Sequence, residues 1–281
     1  MPVPDAISFF AFVVQFGYYA ASLMFIGALV GCATGVKRTL GVSASAALAL
    51  AVLGFYAARL LLANAKLGGT FAAAVDSETF PWIWRIYKLQ AFAIILGSLS
   101  AFAAALLGKR LIMLTAALIL SAGFGLAGHT QGLESLGVMP WLAGFHVLVA
   151  GFWFAAPAAL WPAAAIDDKE LVRRLEAFSR IAQFAIPALF AAGLVLAWRL
   201  AEGWDGLTGS AYGRLLFAKL TAASIALALG AYNKMTVTRR IKADHEAGRK
   251  TLRFTLAAEF ALFLIATGLI AFATTVQGPE T

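Results

Sequence analysis

Long apolar runs alternate along this chain with short polar links. Eight runs stand out: Ile7–Cys32, Ser43–Ala65, Ile86–Leu107, Leu111–His129, Trp141–Trp161, Phe178–Trp198, Tyr212–Asn233 and Leu252–Val276. Each is about as long as the 20 or so apolar residues a helix needs to cross a hydrocarbon core roughly 30 Å thick. Lipid offers the backbone no hydrogen-bond partner, so such runs satisfy their own amides as helices. The pattern predicts an all-α integral membrane protein: one polytopic domain over residues 1–281, built as a bundle of eight transmembrane helices. Two links depart from the short, featureless type. Residues 67–84, LGGTFAAAVDSETFPWIW, are punctuated by a glycine pair and Pro81, and are expected to lie partly flat at the interface with Trp82 and Trp84 in the aromatic belt. Residues 234–250, KMTVTRRIKADHEAGRK, read as a basic polar loop suited to anionic lipid.

Composition agrees with this reading. Hydrophobic residues make up 62% of the chain and charged ones 13%, with a mean hydropathy of +0.84, which no water-soluble core and shell produces. The net charge of +8 would raise the question of nucleic acid in a soluble protein. Here the bases are sorted by link instead. The links after the first, third, fifth and seventh runs hold 14 Lys and Arg, among them Lys37, Arg38, Lys109, Arg110, Lys169, Arg173 and Arg174. The remaining links hold 5: Lys66, Arg85, Lys88, Arg199 and Arg214. By the positive-inside rule the first group is cytoplasmic and both termini are extracytoplasmic. Met1–Asp5 lacks the basic start of a cleaved signal, so the first helix is expected to stay. Cys32 is the only cysteine, which excludes an internal disulfide and a CxxC motif.

The stretch from Ala127 to His146, AGHTQGLESLGVMPWLAGFH, carries His129 and His146, two of the three histidines, with Met139 between them and no Lys or Arg. Charge counting puts it on the extracytoplasmic side. Antiparallel neighbours joined by about ten residues can bring the two rings together. Imidazole suits copper or zinc and a thioether favours Cu(I), so His129, His146 and Met139 form a candidate metal site. The alternative is that each histidine sits at the interface bonded to a carbonyl, and that Met139 merely precedes a Pro-initiated helix. The same histidines on adjacent helices can also ligate a haem iron from both faces. Trp153, seven residues after His146, shares its helical face and either walls the site or packs between helices.

Arg59, Arg180, Lys219 and Glu259 lie within runs, where a lone charge costs several kcal/mol unless paired. Glu259 is expected to pair with Lys219 or Arg180, or to carry a cation or proton in transit. Arg59 is close enough to the outer surface to snorkel, or to hold an anionic headgroup or a propionate. Gln15 and Gln183 can bond across helices.

Five motifs in order, GH at Gly128, HVLVAGFW from His146, FSRIA from Phe178, YGRLLFAKL from Tyr212 with GAYN up to Asn233, and LRFTLAAEF from Leu252, resemble the copper resistance protein D (CopD) family of bacterial inner-membrane proteins. The likeness spans residues 111–276; the first three runs match only in hydrophobicity and length. The resemblance implies copper, as Cu(I) or Cu(II), handled at the inner (plasma) membrane for uptake or resistance. It also implies a separate periplasmic copper-binding CopC-like partner, and it allows a homo-oligomer. His129 and His146 correspond to the natural metal candidates, and Lys219 and Glu259 to family-typical polar positions. The methionine-rich segments of some relatives are absent. No P-loop is present, so a transporter would be a facilitator or proton-coupled, and not an enzyme. Two other classes remain open: a haem b redox protein able to reduce Cu(II), which would be an enzyme, and a scaffold docking a periplasmic copper chaperone.

Overall fold

A computed structural model describes residues 5–37, 39–126, 137–201 and 203–276. Regular structure among them is helical throughout. In order the helices are α1 (Ala6–Ala33), α2 (Val42–Gly68), α3 (Phe80–Leu107), α4 (Arg110–Gly123), α5 (Met139–Phe154), α6 (Ala156–Ala159), α7 (Asp168–Leu200), α8 (Trp204–Gly209), α9 (Ala211–Tyr232), α10 (Thr238–Ala243) and α11 (His245–Thr275). Short polar side chains start several of them. Asp5 caps α1 through the Ser8 amide at 2.7 Å, and Asp167 caps α7 through the Glu170 amide at 2.7 Å.

Seven helical stretches of the described residues are long and apolar enough to cross a membrane, α5 and α6 counting together, as do α9 and α10. The fourth run differs from expectation. Among its described residues it is helical over 14, about 21 Å, with Gly123 and Gly125 favouring a turn. His129 and the rest of residues 127–136 lie outside the described residues. Other boundaries shift outward. Pro81 initiates α3, so Trp82 and Trp84 stand on that helix and not on a flat interfacial segment. The preceding link is pinned to α2 by buried Asn64, whose Nδ2 donates to the carbonyls of Ala73 at 2.8 Å and Asp76 at 3.0 Å. The basic stretch 234–250 is helical: α9 runs through a π turn at Asn233–Val237 into α10, and Asp244 breaks the chain before α11.

The helices run up and down, so the starts of α1, α3, α5 and α9 and the ends of α2, α7 and α11 share one end of the bundle, the terminal end. α1 is central and packs against α2, α4, α5 and α11. Its contact with α5 is backbone to backbone. A Cβ on Gly27 would stand 1.9 Å from the Gly151 carbonyl oxygen, so this crossing requires glycine. Polarity is inverted relative to a water-soluble protein. Leu50, Phe92 and Phe254 face outward at 70%, 59% and 75% exposure, whereas Gln15, Asn64, Gln90 and Glu259 are buried. An apolar outer belt around polar interhelical contacts is the arrangement lipid demands.

The opposite end is fastened by arginines. Arg249 is buried and donates to the Asp168 carboxylate at 2.9 Å and to the carbonyls of Ala163 and Ile166. Glu170 holds Arg173 and Arg174, and Arg173 reaches the Gly35 carbonyl at 2.8 Å. His245, otherwise exposed, bonds Asp168.

Candidate functional site

The terminal half of the bundle holds a half-open chamber of about 340 Å³, lined from α1, α5, α7, α8, α9 and α11. α7 packs on α5 and α9 packs on α11, and the chamber occupies the space between these two pairs. Its walls are nearly all apolar, with Trp153, Phe190 and Phe263 among them. The chief polar groups are His146, Lys219 and Thr267. Thr267 is satisfied within α11, its hydroxyl donating to the Phe263 carbonyl at 2.7 Å. His146 is not: its Nδ1 is buried and has no hydrogen-bond partner among the described residues.

Two features place that imidazole. His146 lies seven residues into α5, about 10 Å along the axis from Met139. Gly193 of α7 faces it so closely that a Cβ there would come 2.9 Å from His146 Cε1 and 3.4 Å from Nδ1. Glycine at this position thus leaves room for the ring against α7. Trp153 shares the chamber with His146, as their spacing on one helical face implied, and stacks edge-on against Phe263 with centroids 5.0 Å apart. Phe263 also stacks on Phe154, so Trp153, Phe154 and Phe263 form one aromatic wall of the chamber. Met139 is buried at the first position of α5 but does not line the chamber. Among the described residues no three His, Cys, Asp or Glu side chains converge on a point where a metal ion would sit.

Glu259 departs from the expected pairing. It bonds neither Lys219 nor Arg180 but Asn233, whose Nδ2 donates to Oε1 at 2.6 Å; the Asn233 Oδ1 accepts from Thr255 at 2.6 Å. The reason is depth. Lys219 precedes Asn233 on the same helix by 14 residues, about 21 Å, too far for its side chain to span. Lys219 instead looks into the chamber, with no hydrogen bond or carboxylate among the described residues. Arg180 is exposed, and Gln183 beside it accepts from Lys234 Nζ at 3.3 Å. Arg59 is held among neighbouring side chains. Its guanidinium donates to Gln90 Oε1 at 2.9 Å and lies over the rings of Tyr18, Tyr56 and Tyr87 at 5.4, 6.0 and 4.8 Å.

Three contributors escape the sequence: Gly193, Gln90 and Asn233. Only Asn233 left a trace, as the last residue of GAYN, because an asparagine deep in an apolar helix needs a partner. Which partner depends on helix rotation, and the π turn at Asn233 alters it.

A polytopic helical membrane protein with a buried, unsatisfied imidazole Nδ1 and an intramembrane carboxylate is the class these features define. Residues 172–273 match the family model of copper resistance protein D, and with the seven apolar helices this match fits a multi-pass inner-membrane protein. The matched segment contains Arg180, Lys219 and Glu259, and it begins after His146 and Trp153. No curated protein and no solved structure matches the chain.

Proposed function

We propose that this protein handles copper at the inner membrane, and that His146, with His129 as a second imidazole, receives the ion at the terminal end of the bundle. The observation that carries this reading is the His146 Nδ1 atom, buried beside an apolar chamber without a hydrogen-bond partner, in a chain with a copper-resistance family match. A buried, unsatisfied polar atom costs about 1–3 kcal/mol, and a metal bond is one way to offset it. Charge sorting puts the terminal end outside, where a separate CopC-like protein would deliver the ion. Glu259 and Asn233, one turn beyond Phe263, are the next polar station inward. The chain offers no motif for ATP hydrolysis, so the ion would move by facilitation or proton coupling.

The test is Cu(I) titration of the full chain in detergent against a chromophoric chelator. One ion per chain is expected, lost in both His146→Ala and His129→Ala. A second reading, haem b held by the same histidines, draws on the aromatic walls around His146. A Soret band that disappears in both variants would replace the copper site with haem. A colourless protein binding Cu(I) stoichiometrically would remove the haem reading. Cellular copper with and without the gene separates a transporter from a scaffold, which leaves accumulation unchanged.

A further inference from the structure

A second cavity of about 410 Å³ opens at the terminal end between α1, α2, α3, α7, α9 and α11. It meets the His146 chamber at shared walls, Tyr19, Phe124 and Ile270, but its chemistry is opposite. Arg59 and Lys66 line it, two turns apart on one face of α2, and no Asp or Glu among the described residues does. Arg59 is held in place by Gln90 and a box of tyrosine rings, which spend one of its five N–H groups on a side-chain oxygen and leave it without a carboxylate among the described residues. Lys66 donates to the Thr275 carbonyl at 2.8 Å and feels Asp5 at the mouth. Gln15 also lines the cavity, is 4% exposed, and makes no hydrogen bond among the described residues.

A guanidinium within the span of α2 that meets no carboxylate among the described residues favours a counter-charge. A positive, mostly low-dielectric cavity concentrates anions, and the planar fork of arginine matches phosphate oxygens. We propose that this cavity is an oxyanion site that takes a phosphate group, presented either by a small free anion or by the headgroup of an anionic phospholipid. Arg59 and Lys66 supply the charge and Gln15 an amide donor. None of these residues is a proposed copper ligand, so the site stands or falls independently of the copper reading.

The experiment is thermal unfolding of the full chain in mild detergent at constant ionic strength. Inorganic phosphate, a short-chain phosphatidylglycerol and a short-chain phosphatidylcholine are titrated separately. Saturable stabilisation by phosphate identifies a free anion as the source, and stabilisation by phosphatidylglycerol alone identifies the headgroup. Either response is expected to need at least tenfold more ligand in Arg59→Gln, and at least threefold more in Lys66→Gln and Gln15→Leu. The last two variants keep the test decisive if Arg59→Gln does not fold. The proposal is overturned if neither probe stabilises beyond phosphatidylcholine and chloride, or if the response is unchanged in the folded variants.

Discussion

Replacing Gly193 by alanine separates folding from ligand placement. Gly193 lies inside α7, where alanine is favoured over glycine by about 1 kcal/mol. The new methyl would stand 2.9 Å from His146 Cε1, whereas carbon pairs rest at about 3.5–4.0 Å. The ring must therefore retreat by roughly 0.6–1 Å. Open volume lies beside it, so a small rotation off its rotamer suffices, at a cost of about 0.5–1.5 kcal/mol. The two effects nearly cancel, and the thermal midpoint is expected to stay within a few degrees of wild type. The imidazole nitrogen, however, moves by several times the ~0.2 Å tolerance of a metal bond. Cu(I) affinity, read by chelator competition, is expected to fall at least tenfold, about 1.4 kcal/mol. Unchanged affinity in a folded Gly193→Ala protein would refute ligation by His146. Loss of the fold would refute the contact geometry itself.

Lys219→Met is expected to strengthen Cu(I) binding several-fold in the same titration, because the ammonium lining the same chamber as His146 repels a cation held there. Arg249→Ala removes bonds to Asp168, Ala163 and Ile166 together, and should destabilise by roughly 2–3 kcal/mol in chemical unfolding, with Cu(I) affinity retained. Glu259→Leu strands the Asn233 amide and should cost about 1–3 kcal/mol while abolishing any gene-dependent change in cellular copper, with Cu(I) binding by the purified protein unchanged. Gly27→Ala drives a methyl into the Gly151 carbonyl and should lower stability by about 1–3 kcal/mol or more, measured by thermal unfolding.

Apolar runs located the helices because hydropathy depends only on local sequence: seven correspond to helices long and apolar enough to span, and the fourth to the shorter α4. Their ends were harder to read. α7 and α11 extend beyond the apolar runs because Asp167 and Asp244 cap them and charged residues continue each helix outside the apolar part. Hydropathy sees only the apolar part. The His146 and Trp153 relation was legible, since seven residues on one helix fix a common face without knowledge of any neighbour. The partner of Glu259 was not, because it depends on how α9 is rotated against α11. The cage around Arg59 likewise joins three helices, and no spacing rule within one segment reaches that far.

The edge-to-face packing of Trp153 on Phe263 bears on the rate law of any ion that crosses. A continuous water-filled pore gives flux proportional to concentration over a wide range. On the proposed route from the His146 chamber toward Glu259, these rings would have to part and reclose once per ion. Flux through such a barrier would saturate and rise steeply with temperature, as in a carrier.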